Sequence, residues 1–322
     1  FGSRPMELIR RVVPGCTPES LRRRCDDCCQ LKPYQEETPL VGDYQSQVFS
    51  KDSPHYPNHH FADIPEGAGS PNSLLKEAPR VELDDGWSYT GQWLGIRRHG
   101  HGVITRPDGG SYEGEFKEDR AHGRGTFRHV NGDVYEGQWH EDRAHGQGKL
   151  LHADGSSYDG EWFQDTKNGQ GNETWQDGSN FKGEYRDGVK HGFGVFSSCD
   201  GSTYAGQFAL DHMDGHGTYT FHDGRVYNGQ WQGSLMHGTG HMRWPDGREY
   251  QGKYMQDKKS GEGKFSWPDG KVFSGQWKDG KQHGIGSHLD SRGRCRRGEW
   301  GDGKRIRWLD EDDGNDPTSS PE

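Results

Sequence analysis

Residues 112–134 read YEGEFKEDRAHGRGTFRHVNGDV, and the following 23 residues start over with Tyr135-Glu136-Gly137-Gln138-Trp139. An aromatic-x-Gly-x-aromatic pentad heads each unit. It recurs nine times with no insertion or deletion, at Tyr89–Trp93, Tyr112–Phe116, Tyr135–Trp139, Tyr158–Trp162, Phe181–Tyr185, Tyr204–Phe208, Tyr227–Trp231, Tyr250–Tyr254 and Phe273–Trp277. A worn tenth copy follows, with Arg296, Gly298 and Trp300. A fixed period of this size marks a repeat array whose units bury their apolar faces only against their neighbours, so one unit alone does not fold.

Two further landmarks keep the same register. One is a G-x-G pair, from Gly100 and Gly102 to Gly284 and Gly286; the other is Asp-Gly or Asn-Gly, from Asp108-Gly109 to Asp269-Gly270. In the pentad, residues i, i+2 and i+4 point to one face of a strand. The residue two after the G-x-G pair reads Ile104, Phe127, Leu150, Glu173, Phe196, Tyr219, Met242, Phe265 and His288, which gives the second strand a mostly apolar face as well. Asp-Gly and Asn-Gly supply the positive φ of a two-residue type I′ hairpin. The expected fold is therefore all-β: an elongated single-layer antiparallel meander of two-stranded 23-residue units, about eighteen strands in all. The array is expected over 82–300. It follows an irregular segment, 1–80, with a short helix near 17–31 and a Pro/Ser-rich linker, and precedes an acidic tail, 301–322, of disordered composition.

This pattern of Y-x-G-x-W, H-G-x-G and D-G-x-x-Y resembles the MORN (membrane occupation and recognition nexus) repeat, over about two-thirds of the chain. Phe181 and Phe273 depart from it in place of the leading Tyr, and Arg296 departs in the last copy. The resemblance implies a binding scaffold of cytoskeletal, ciliary or membrane-contact assemblies. It also implies two alternatives: a peripheral module for anionic phospholipid, and the regulatory part of a larger MORN-containing enzyme such as a phosphatidylinositol phosphate kinase.

Composition narrows the choice. Only 27% of the 322 residues are hydrophobic and 51 are glycine, so a conventional two-layer core is excluded. The net charge of −10 divides into −4 for 1–85, −2 for 86–300 and −4 for 301–322. A nearly neutral array with no basic run argues against nucleic acid. No stretch approaches the 18 apolar residues of a membrane span, and the expected location is cytoplasmic, at the cytoskeleton, a cilium or a membrane periphery. Within the cluster Cys16, Cys25, Cys28 and Cys29, Cys25-x-x-Cys28 is half of a zinc-site spacing without the second pair, and the four are read as unpaired thiols.

No residue is assigned to catalysis, a cofactor or a metal. Carboxylates such as Glu113, Glu136 and Glu184 recur because the unit recurs, whereas a general acid or base needs one distinctive environment. His99, His122, His145, His191, His237 and His283 recur two strands apart, about 9.5 Å, too far to share an ion, and are assigned to the hairpin turns. The aromatic face is the expected partner surface, for a helix or a second copy of the array in a homodimer. Its anchors are Trp93, Trp139, Trp162, Trp231 and Trp277. The alternative lipid surface uses Lys117, Lys182, Lys253, Lys258, Lys259, Lys278 and Lys281.

Overall fold

The computed structural model describes residues 75–309; the expectations for the helix near 17–31, the linker before 75, the cysteine cluster and the tail after 309 lie outside them. The described residues form one sheet of 21 strands, each antiparallel to its neighbours in chain order. Ten seven-residue strands, from Ser88–Leu94 to Cys295–Gly301, carry the pentads. Nine nine-residue strands, from Arg97–Thr105 to Lys281–Leu289, carry the G-x-G pairs. The sheet is wider than expected because Lys76–Glu82 adds a strand before the array and Lys304–Trp308 one after it. Both lie beyond the expected limits of 82 and 300. These edge strands carry Pro79 beside a bulge and Lys304, Arg305 and Arg307, features that discourage further strand addition.

Two turn types alternate, and their placement corrects the sequence expectation. The type I′ turns follow the pentad strands, where Glu118 and Asp119 have φ of 50° and 70° and Glu141 and Asp142 of 49° and 68°. The Asp-Gly sites instead form three-residue loops. Gly109 N donates to Arg106 O at 3.0 Å and Arg106 N to Gly110 O at 2.7 Å, with only Gly109 at positive φ. This is a type I turn closed by a glycine bulge. The Asp108 carboxylate locks it by accepting the Gly110 N–H at 2.9 Å.

Within each hairpin the G-x-G pair lies mid-strand, at a bulge. Gly114 faces Gly125 and Phe116 faces Ala121, so Glu115 stands opposite His122, Gly123 and Arg124. Gly123 has φ of 65°. Glu115 Oε1 accepts the Arg124 N–H at 3.0 Å, satisfying a donor that the bulge leaves without a ladder partner. The same clasp joins Gln92 to His101, Gln138 to Gln147, Glu161 to Gln170 and Gln230 to Thr239.

The core follows from the glycines. Tyr112 folds over its own strand and donates its hydroxyl to Glu115 O at 2.9 Å. Its ring then lies so close to the facing strand that a Cβ on Gly125 would sit 2.4 Å from its Oη. Each leading ring meets the second aromatic of its own unit and that of the next edge-on. Tyr112 is 5.1 Å from both Phe116 and Trp139, at 89° and 82°. The zigzag runs unbroken from Trp93 to Trp300. Each such pair adds about 0.5–1.5 kcal/mol beyond its buried area.

The units are also stitched along both margins. Asp142 N donates to Ala121 O at 3.0 Å while Asp142 Oδ1 accepts the Ala121 N–H at 2.7 Å. Asp165 does the same with Ala144 and Asp257 with Met236. On the other margin Ser179 Oγ accepts the Cys199 N–H and Ser202 Oγ the His222 N–H, both at 3.1 Å.

Gly125→Ala should lower stability by about 2–3 kcal/mol through overpacking against Tyr112. Gly155→Ala, with φ of 89° and nothing within 4 Å of the new methyl, should cost only about 1 kcal/mol of backbone strain. Urea unfolding followed by circular dichroism separates the two; equal midpoints would show that ring-on-glycine packing is not the constraint.

Candidate functional site

The tryptophans expected as partner anchors lie inside the sheet. Trp139, Trp162, Trp231 and Trp277 are buried. Their Nε1–H groups donate to the carbonyls of Gly125, Gly148, Gly217 and Gly263 at 2.9–3.2 Å. Each acceptor belongs to the preceding unit's glycine strand, so these indoles join units and are not exposed anchors. Trp93 has no such strand before it and is half-buried, and its Nε1 lies buried without an acceptor.

What remains open on the aromatic face is an outer row. Trp175, Trp244 and Trp267 share one register position, the residue just before the three-residue Asp-Gly loops, and like Trp93 they are only partly buried, as are Phe196 and Trp308. Cations lie over this face: Lys190 Nζ is 4.6 Å from the Trp175 centroid, Lys259 Nζ is 5.3 Å from Trp244, and Arg305 is 4.2 Å from Trp308. Such contacts add about 0.5–1 kcal/mol each when exposed and more when desolvated. The register position of Trp175, Trp244 and Trp267 is legible in the sequence but lies outside the aromatic pentad.

One polar cluster interrupts the apolar floor. Glu173 takes a position that is apolar in most units, and its carboxylate accepts from Lys167 Nζ and, at 2.7 Å, from the Tyr185 hydroxyl. Lys167 is 6% exposed, with its ammonium 5.0 Å from the Tyr158 centroid. Burial works to raise the Glu173 pKa, but Lys167 and Lys190 outweigh it and hold the carboxyl below its ordinary value.

The lysines of the lipid reading divide between faces. Strand alternation places Lys117, Lys182, Lys253 and Lys278 opposite the aromatic rings. Lys258 and Lys281 start their strands in register with Met255 and Lys278, and Lys259 alone stands on the aromatic face. Charge is also graded along the array. Residues 86–242 hold 14 Lys and Arg against 21 Asp and Glu, whereas 243–308 hold 16 against 9.

The histidines sit beside the mid-strand bulges and not, as expected, at the hairpin turns. His122, His140 and His145 stack in series at 5.2 and 5.5 Å, and burial, then His140 and Lys117, lower the His122 pKa. Among the described residues no group of three or more His, Cys, Asp or Glu could hold a metal ion. The margin carboxylates are shifted instead. Burial raises Asp142, Asp257 and Asp165, the last to about 6, against the bonds from their N–H partners.

Two predictions follow from these groups. A carboxyl whose folded pKa is raised contributes stability below its unfolded pKa and loses it as pH rises through the folded one. Asp165→Asn, which keeps an acceptor for Ala144, should therefore stabilise by about 1 kcal/mol or less at pH 7.5, after solvent screening, and change little at pH 3.5; thermal melts at both values test the sign. Glu173→Gln strands a buried ammonium and should cost about 3 kcal/mol, whereas Lys167→Met with Glu173→Met should restore most of it. A double variant no better than the single would refute the pairing.

The family comparison agrees with this architecture. The family model of the MORN repeat matches nine consecutive segments, 89–111, 112–134, 135–157, 158–180, 181–203, 204–224, 227–247, 250–272 and 273–293. No curated protein matches. Among solved structures, the wild-type TCP10 domain of Danio rerio CPAP is 11% identical over 72% of this chain and 100% of that one, with a TM-score of 0.24. The TCP domain of Drosophila melanogaster SAS-4 (dCPAP), in complex with a Proline Rich Motif of Ana2 (dSTIL), is 13% identical over 66% and 99%, with a TM-score of 0.25. A streptogramin B lyase is 11% identical over 70% and 69%, with a TM-score of 0.14. TM-scores this low establish neither a common overall shape nor a shared activity. The nine matched segments cover more than half of the sequence in one unbroken register, and the chain belongs to the MORN-repeat family.

Proposed function

We propose that this chain is a non-catalytic scaffold that holds a protein partner on the aromatic face of its sheet, in a cytoskeletal, ciliary or membrane-contact assembly. The carrying observation is the half-exposed outer row, Trp175, Phe196, Trp244 and Trp267, with Lys190 and Lys259 stacked beside it. Partly exposed Trp and Phe side chains combine apolar area with directional contacts, the aromatic enrichment typical of interface cores. The inner tryptophans hold this row in place by joining unit to unit. A helix laid along the row and a second copy of the sheet are the two occupants this surface suits.

A second reading, a peripheral module for anionic phospholipid, is supported by the lysines opposite the rings and by the excess of cations in residues 243–308. Each Lys or Arg near an anionic surface contributes about 1 kcal/mol. The readings separate by mutation. Trp175→Ala with Trp244→Ala and Trp267→Ala should abolish capture of a partner from cell extract without changing vesicle flotation. Lys264→Glu with Lys278→Glu and Lys281→Glu should lower partition onto phosphatidylserine vesicles at least a hundredfold if the lipid reading holds. Partner capture that survives the tryptophan variant with its fold intact sinks the scaffold surface.

A further inference from the structure

The face of the sheet opposite the rings is unevenly charged. Strand alternation puts seven Lys and Arg of residues 258–308 on it, against Glu262 and Glu299. Glu299 is held by Arg307 at 2.8 Å. The turns at one margin add Asp279, 3.9 Å from Lys258, and Asp302, so cations remain in excess. Lys264, Lys278, Lys281 and Lys304 are exposed, and none makes an ion pair among the described residues. Pairing brings like charges together. Lys278 directly faces Lys281 on the neighbouring strand, and Gly303 N donates to Gln282 O at 3.0 Å, which fastens the turn before Lys304 onto the strand that begins at Lys281. Lysines held this close on a sheet repel one another, and an anion laid over them relieves the repulsion.

The chain itself carries a matching anion. Leu309 N donates to Arg297 O at 2.8 Å, so the backbone leaves the described residues beside Arg297, which alternation places on this same face. Asp310-Glu311-Asp312-Asp313 comes next, and Asp316 three residues further on. Arg297 and Lys264 share one register row through Ser287 and Ser274, three strands or about 14 Å apart. Lys281 lies at the far end of the strand that carries Ser287, about 20 Å along it. The segment from Asp310 to Asp316 reaches about 24 Å when extended, enough for either. Tethering at the exit holds its carboxylates at an effective concentration on the order of millimolar, so several exposed contacts succeed together where one alone contributes little.

We propose that the basic patch around Lys264, Lys278 and Lys281 is a docking site for an acidic peptide segment, and that its occupant is the Asp310–Asp316 segment of the same chain. The inference goes beyond both readings of function, since this docking needs neither a partner on the rings nor a membrane. Zero-length carbodiimide crosslinking of the full chain, read by mass spectrometry on an equal mixture of light and heavy-isotope-labelled protein, tests it. The carboxyls of Asp310, Glu311, Asp312 and Asp313 should join Lys264, Lys278 and Lys281 within one chain. Their yield should exceed that to Lys271, at the loop margin within similar reach of the exit, by about fivefold or more. Lys278→Glu with Lys281→Glu, both at exposed positions, should cut the Lys264 yield about fivefold or more and leave the Lys271 yield unchanged. Equal yields to Lys264 and Lys271 overturn the proposal, as does an unchanged Lys264 yield in the folded variant. Crosslinks formed mainly between light and heavy chains overturn it too, because the occupant is then the segment of a second copy.

Discussion

The leading ring of each unit lies across the facing glycines of two strands and donates its hydroxyl three residues ahead, and this contact sets the spacing of everything else. It requires glycine on both strands, since a Cβ at either position would overlap ring or backbone. It also requires a bulge beyond the glycine pair, because the ring displaces the ladder that ordinary pairing would continue. The fourth pentad residue, Gln or Glu, then accepts the N–H that the bulge releases. At Lys253 the side chain has no acceptor to offer, and at Phe181 and Phe273 the hydroxyl bond is lost while the edge-on ring contacts persist. The packing tolerates loss of one polar contact more readily than loss of glycine.

Function on such a sheet is an outcome of what the core leaves over. The inner indoles are committed to the carbonyls of the preceding unit, which removes their donors from any partner. The half-exposed rings at the loop position, with lysines stacked beside them, retain unused surface. Glu173 and Lys167 place a buried ion pair in the middle of this face, where it contributes little net stability but interrupts the apolar floor. Units that share a fold therefore differ in chemistry along the array, with acidic excess before residue 243 and basic excess after it.

Much of this was legible in the residues. The 23-residue register gave strand number to within a few, the single antiparallel sheet and the apolar face, because periodicity reports side-chain direction directly. The type I′ turns were misplaced, since Asp-Gly suits both a type I′ turn and a glycine bulge, and only the pairing register distinguishes them. Glu118-Asp119 and Leu210-Asp211 carry no Gly or Asn, yet they adopt positive φ where Asp119 and Asp211 bond to Arg98 and Lys190 of the preceding unit. The flanking strands Lys76–Glu82 and Lys304–Trp308 lack the repeat pattern and form because an unpaired sheet edge offers them hydrogen bonds.

The sequence by itself determined the architecture: a fixed period, aromatic residues at i and i+4 and glycine between them admit one way of burying rings in a single layer. Tertiary structure alone decided which rings are core and which are surface. A strand pattern says that Trp139 and Trp175 are aromatic and in register, but whether an indole is covered depends on whether the neighbouring unit's carbonyl and rings reach it. That neighbour covers Trp139, whereas Trp175 stands at the loop margin of its unit and Trp308 on the last described strand, so the surface left open is set by inter-unit geometry that no single unit encodes.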